Sequence, residues 1–396
     1  MTKTLKTSRR PSSLRRILPP AVTFIAMLSG TAAYALDTGD APTRLQRDAD
    51  ALRETGASGV LAEARTPGGR AVARSGVADL ATRAPVRPDS YHRIGSTTKT
   101  FVATVVLQLA GEGKVGLDDT VDRWLPGVVR GNGNDGTKIT VRQLLGHTSG
   151  VPEYADDVPM EQARTPEAFR RERFRTYSPE QLVAMAMRHR PTFEPGAGWA
   201  YSSTNYVLAG MIIEKATGRP WQQEVHERII ETLGLRHTLI PGTSASLPQP
   251  HMTVYKRFVP GGPETDVSTF AAGHPDGSLI STTSDVNRFL QALVSGRLLR
   301  PAQLAEMQHT TPAKPFQEIW RDAGYGLGLM KRRLSCGGWV WFHGGGGWNS
   351  ITDNAVTPDG RRAATVFYAT RLQPDQSPIQ QYKASADLID NALCTS

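Results

Sequence analysis

The chain has 396 residues, 39% hydrophobic and 7% aromatic, a composition that supplies a substantial core. Its formal charge is +9, but six basic residues and no acid fall within the first 35 positions, which leaves +3 on the remainder. That balance, with no repeated basic–aromatic stripe, removes the main support for nucleic-acid binding.

Residues 1–35 read as a secretory signal peptide. Lys3, Lys6, Arg9, Arg10, Arg15 and Arg16 precede an apolar run, Ile17 to Leu28, and Ala33-Tyr34-Ala35 offers a cleavage site. The run is shorter than the roughly 20 residues needed to span a bilayer, so a secreted protein without a stable membrane anchor is expected. The alternative is an uncleaved anchor. Two cysteines, Cys336 and Cys394, in an exported chain favour one disulfide. Two separate buried thiols are the alternative.

Along the chain, Ala41 to Glu54 reads as a first helix. Ser58 to Ala64 and Ala71 to Ala78 read as a hairpin around Thr66-Pro67-Gly68-Gly69. Gly95-Ser96-Thr97-Thr98-Lys99 opens an apolar helix from Phe101 to Leu109, with Ser96 expected as its cap. Helical spacing recurs at Pro179 to Arg188, Asn205 to Ala216, Trp221 to Leu233, Ser284 to Val294 and Pro301 to Met307. From Gly324 the pattern becomes strand-like: Tyr325 to Met330, Gly338 to His343, Ser350 to Val356 and Arg362 to Ala369. Pro378 to Leu393 closes the chain as a helix. This order implies one sheet built from both chain ends with a mainly helical part inserted.

Three stretches carry chemistry. In Ser96-x-x-Lys99 the two side chains lie one helical turn apart, so an amine can activate a hydroxyl nucleophile, and the N–H groups of a helix start can stabilise an oxyanion. Taken alone, a Ser cap beside a surface Lys is the commoner reading. Tyr201-Ser202-Ser203 follows a Gly/Pro loop; a tyrosine beside ammonium groups can exchange protons, whereas a lone Tyr is more often structural. His343 to Gly347 ends a strand, and its glycines let a ligand backbone approach. A plain Gly-rich turn is the alternative; a phosphate loop is not, because no Gly-Lys-Ser/Thr follows. The nine histidines show no metal-ligand spacing, so neither a metal nor a cofactor is expected.

Ser96-x-x-Lys99, Tyr201-Ser202-Ser203 and His343-Gly344-Gly345 stand in the order found in the penicillin-recognising serine hydrolases. Ile139 to Gly150, Tyr206 to Lys215 and Tyr325 to Leu329 also resemble that family. The chain is most similar to secreted Streptomyces-type D-alanyl-D-alanine carboxypeptidases, with class C β-lactamases, esterases and D-aminopeptidases nearby. The resemblance implies an α+β, β-lactamase/transpeptidase-like fold. Its antiparallel sheet is flanked by helices and built from both chain ends (about 41–110 and 310–394), with a helical insert at about 111–309, all in one catalytic domain, 36–396. It implies Ser96 as acylated nucleophile, Lys99 and Tyr201 as proton-transfer groups and His343 as a further catalytic residue, on the wall where many relatives have Lys. The N–H groups of Ser96 and Gly346 would bind the oxyanion. Ser203, Gly344, Gly345 and Arg332 are the further substrate-binding candidates. His147 is read as part of a structural turn. The expected substrates are small peptides or β-lactams, with peptidoglycan as a partner, and D-Ala-D-Ala carboxypeptidase is the leading activity. An esterase, D-aminopeptidase or β-lactamase is the alternative, and a penicillin-binding sensor with little turnover is the rival from another class. Two departures weaken the carboxylate-specific reading: Ser203 stands where the family usually has Asn, and Gly344 where carboxypeptidases usually have Thr or Ser.

Overall fold

A computed structural model describes residues 43–394. The signal-peptide expectation lies outside them. Among the described residues, no helix is long and apolar enough to cross a membrane.

Nine strands form an antiparallel sheet. In spatial order these are Gly69–Gly76, Ala57–Thr66, Ala363–Thr370, Ser350–Val356, Trp339–Phe342, Met330–Arg333, Gly324–Tyr325 and Thr311–Pro312, with Gly345–Gly347 paired beside Ser350–Val356. Both chain ends therefore build one sheet, as expected. Period-two alternation divides its faces. Val340, Phe342, Val366 and Tyr368 pack with the helices Arg44–Glu54 and Ile379–Leu393. Trp341, Val356 and Ala363 join the larger core on the opposite face. Cys336 and Cys394 are joined, with Cα atoms 6.0 Å apart, tying the end of the last helix to the turn before Trp339.

The larger core surrounds the helix Thr98–Gly111, whose residues 98–107 are all buried. A helix buried on every side belongs at the centre of a protein. Phe101 stacks on Phe289 at 3.6 Å between ring centroids, and burying such a side chain contributes roughly 1.5–3 kcal/mol. Around it, polar caps start the inserted helices. Thr140 and Ser178 each form a reciprocal capping box, with Gln143 and Gln181 respectively.

Two expectations are corrected. Ser96 does not cap the central helix: it lies within a short 3-10 turn, Gly95–Thr97, and the helix starts at Thr98. Tyr325 to Met330 is not one strand. The chain turns at residues 326–329, where Gly328 has φ +75° and a Cβ there would lie 2.4 Å from the Cβ of Ala103. Glycine is needed because this turn presses on the central helix, and Thr100 Oγ1 donates to the Gly328 carbonyl at 2.7 Å.

Candidate active site

Three segments meet at Ser96. The turn Gly95–Thr97 carries the serine, and the first turn of the central helix brings back Lys99, whose side chain is fully buried. Lys99 Nζ lies 3.1 Å from Ser96 Oγ and 3.5 Å from Ser203 Oγ, and donates to the Asp276 carbonyl at 2.6 Å. It stands 4.9 Å from the ring centroid of Tyr201 and 5.7 Å from that of Tyr206. The backbone N–H of Ser203 is held by Glu153 Oε2 at 2.7 Å.

The glycine strand Gly345–Gly347 lies against the serine turn. A Cβ on Gly345 would sit 1.9 Å from the Ile94 carbonyl and 2.9 Å from Ser96 N, and a Cβ on Gly95 would sit 2.7 Å from Gly346 N. No side chain fits between these backbones, so the N–H groups of Ser96 and Gly346 are brought side by side. The glycines thus serve an approach within the protein itself. The strand then reverses through Trp348 and Asn349, with φ of +47° and +65°. Two positive φ values suit a tight type I′ hairpin but are strained for tryptophan. Trp348 is held there by Phe169, with ring centroids 4.8 Å apart, and by Nε1 donating to Glu161 Oε1 at 2.9 Å.

His343 is fully enclosed and does not reach Ser96 through any hydrogen bond; its ring faces a polar chain under Tyr201. Nδ1 donates to the Gly344 carbonyl at 2.8 Å, so Nε2 accepts from the Tyr325 hydroxyl at 2.9 Å. Tyr325 in turn accepts from His147 Nε2 at 3.1 Å, and His147 Nδ1 accepts from the Ser202 N–H at 3.2 Å and the Asn205 amide at 3.0 Å. The partners fix both tautomers. Burial lowers the His343 pKa to about 3 and holds that of His147 well below its usual value. His343, expected among the catalytic residues, thus lies in this buried polar chain with its ring held neutral. His147 occupies the left-handed C-terminal position of the helix Val141–Gly146, as a structural turn requires, and its ring centroid lies 4.3 Å from that of Tyr201.

Arg332 is not in the site. It points away into a buried ion pair with Asp390 of the last helix. On the flanking positions, Lys331 covers Trp339 at 4.3 Å and Arg333 pairs with Asp322 at 2.7 Å. The strand alternation that places Arg332 on the helix-covered face was available in the sequence; its partner was not.

Two cavities open on Ser96. The larger, about 560 Å³, includes Ser203, Gly346 and Trp348. Its acidic lining residues are Glu161, Glu180, Glu214 and Asp276. Asp276 Oδ2 accepts from the Tyr154 hydroxyl at 3.0 Å, while Oδ1 is buried with no partner. Two guanidinium groups also line it. Arg93 lies over Phe270 and donates to two backbone carbonyls, and Arg175 pairs with Glu172. The smaller cavity, about 240 Å³, includes Tyr201, His343 and Gly344 to Gly346. Asp276, Glu153 and Trp348 were missed from sequence; Asp276-Gly277 is an ordinary turn dipeptide, and only folding sets it against Lys99. Among the described residues, no cluster of His, Cys, Asp and Glu could hold a metal ion.

A serine beside a buried lysine, with the glycine strand packed against the serine turn, is the arrangement a covalent acyl-transfer site needs. A family profile described as Beta-lactamase matches residues 45–388. The chain belongs to the beta-lactamase family. It is a serine hydrolase of that family, in which the fold expected from sequence is found. Its solved neighbours include a D-stereospecific amidohydrolase from Streptomyces sp., 43% identical, covering 89% of this chain and 98% of that one, with a TM-score of 0.79. A penicillin-binding protein of Bacillus subtilis is 28% identical over 333 residues, 79% of this chain and 68% of its own. Esterase EstB of Burkholderia gladioli is 29% identical over 346 residues, 76% of this chain and 82% of its own.

Proposed function

We propose that this beta-lactamase-family hydrolase cleaves amides and esters of D-amino acids that carry a free α-amino group. The observation that carries the reading is Asp276. Asp276 lines the larger cavity, its carbonyl holds Lys99, and its buried Oδ1 has no hydrogen-bond partner. A substrate ammonium bound in that cavity is complemented by the Asp276 carboxylate, and a hydrogen bond to a charged group contributes roughly 1.5–3 kcal/mol. The 43% identity with the D-stereospecific amidohydrolase supports the same reading.

In this mechanism Lys99 takes the Ser96 proton across the 3.1 Å contact as Ser96 Oγ attacks the substrate carbonyl. The N–H groups of Ser96 and Gly346 receive the developing oxyanion. Tyr201 passes a proton to the departing nitrogen or oxygen, and water then hydrolyses the acyl-enzyme by the same groups in reverse. The carboxypeptidase reading has less support, because Gly344 has no hydroxyl for a terminal carboxylate and Arg332 is engaged with Asp390.

The test is a panel: D- and L-alanine amide, an N-acylated D-alanine amide, a diacyl-lysyl-D-Ala-D-Ala peptide, a short-chain ester and a cephalosporin. The reading expects D-alanine amide to exceed both its L-isomer and its N-acylated form in kcat/KM. Equal turnover of free and N-acylated amides would overturn it.

A further inference from the structure

The smaller cavity has a chemistry of its own. Phe316, Ile319, Trp320, Ile351 and Tyr382 give it an aromatic and aliphatic wall. Tyr201 borders it and is absent from the lining of the larger cavity, whereas Ser96 and Gly346 border both. A carbonyl held at Ser96 has two substituents, and the group that protonates the leaving atom must stand beside that atom. The Tyr201 side is therefore the leaving-group side.

Gly344 lines this space and adds no side chain to it. A Cβ there would lie 3.8 Å from the Trp320 ring and 3.9 Å from Asp353 Oδ1, so a larger residue would fill the passage between them. Asp353 lines the cavity, almost fully enclosed, with Oδ2 accepting from Ser385 Oγ at 2.9 Å and Oδ1 from the Asn354 N–H at 2.9 Å. Among the described residues, no lysine or arginine lines the cavity. A carboxylate entering would lose its water and meet aromatic rings and another carboxyl group. An uncharged ring would lose only unfavourable hydration.

We infer that the Gly344–Trp320–Asp353 cavity is a leaving-group subsite for uncharged, apolar or aromatic amines and alcohols, and that it rejects leaving groups ending in a carboxylate. This deepens the amidohydrolase reading and rests on it for the acyl half of the substrate.

The experiment compares leaving groups on one D-alanyl donor. D-alanine benzylamide should exceed D-alanine methylamide in kcat/KM by about tenfold or more, chiefly through KM. D-alanyl-D-alaninamide should exceed D-alanyl-D-alanine by a similar factor. Trp320→Ala and Gly344→Thr should each collapse the first ratio, and Asp353→Asn should reduce the second. Should the Trp320 variant fail to fold, Ile319→Ala on the more open wall reads the first ratio instead. Flat ratios in the wild type, or variants that slow both members of a pair equally, would overturn the subsite. If no D-aminoacyl amide is cleaved at all, the amidohydrolase reading fails separately. Benzyl and methyl esters of one simple acid then read the same ratio, and equal rates overturn the subsite.

Discussion

Lys99 makes a shorter hydrogen bond to the Asp276 carbonyl, at 2.6 Å, than to the Ser96 hydroxyl, at 3.1 Å. The lysine is thus aimed from behind by a residue that sequence analysis did not single out. Replacing Lys99 by Met keeps its length and loses its amine. The acylation rate should fall by about 10²–10⁴-fold, the range for a positioned base. Ser96→Ala should remove covalent labelling by penicillin altogether. Intact-protein mass spectrometry and stopped-flow burst amplitudes check both, and an adduct retained in Ser96→Ala would move the nucleophile elsewhere.

Asp276→Asn keeps the carbonyl that holds Lys99 and removes the carboxylate charge. KM for D-alanine amide should rise by about 10–100-fold, matching roughly 1.5–3 kcal/mol, while kcat changes far less. The short-chain ester, lacking an ammonium group, should respond little. A fall confined to kcat would point to misplacement of Lys99 instead.

The four consecutive glycines are not equivalent. Gly345→Ala puts a Cβ 1.9 Å from the Ile94 carbonyl, so the serine turn and the glycine strand must separate. Activity should drop by about 10²–10³-fold, as when an oxyanion donor is lost. A Cβ on Gly347 meets nothing within 4 Å, so Gly347→Ala should leave the melting temperature within experimental error. Thermal unfolding and ester turnover of the pair decide it.

At position 348 the usual ranking of glycine below alanine should invert. Alanine there loses the tryptophan's packing and keeps the strained φ of +47°. Glycine loses the same packing and relieves the strain. Trp348→Gly should be more stable than Trp348→Ala by about 1 kcal/mol, and both should be several kcal/mol below wild type. Urea unfolding of the two variants gives the difference.

His92, His147 and His343 are buried and held neutral; burial lowers His92 and His343 to about 3, and His147 also lies well below its usual value. Their folded pKa values are below the unfolded one, so the unfolded chain binds the extra protons. Stability is therefore full above about pH 6.5 and is lost as pH falls towards 3, with a slope of up to about 1.4 kcal/mol per pH unit for each histidine. Buried Glu153 and Asp353, whose pKa values are raised, oppose this in the lower part of the window. His92 stacks on Phe367 at 4.3 Å, so His92→Phe should flatten the slope by about one proton. Urea midpoints from pH 4 to 8 measure it; an unchanged slope would mean His92 already protonates in the folded state.

The sequence made the architecture readable because periodicity and turn residues are local. The hairpin at Pro67-Gly68, the strands Ser350–Val356 and Ala363–Thr370 and the closing helix all fall close to their expected places. The Ser96–Lys99 pair was readable for the same reason, since one helical turn fixes its spacing. The Gly326–Leu329 turn was not, because Gly328 answers to Ala103 on a helix over 200 positions earlier and Gly326 to the Met307 carbonyl of another helix. Asp276 and Asp353 are long-range too. Arg332 was assigned from its charge, whereas its orientation on the strand delivers that charge to Asp390.

The row of rings from His343 through Tyr325 to His147 has a fixed sense. One end is the Gly344 carbonyl, which can only accept, and the other is the Ser202 N–H, which can only donate. Such a row cannot reverse, and removing its middle member strands a nitrogen on each neighbour at once. Its members come from the helical insert and from the sheet, so the same row rivets the two halves of the floor beneath Tyr201. The floor beneath Tyr201 is accordingly either whole or lost.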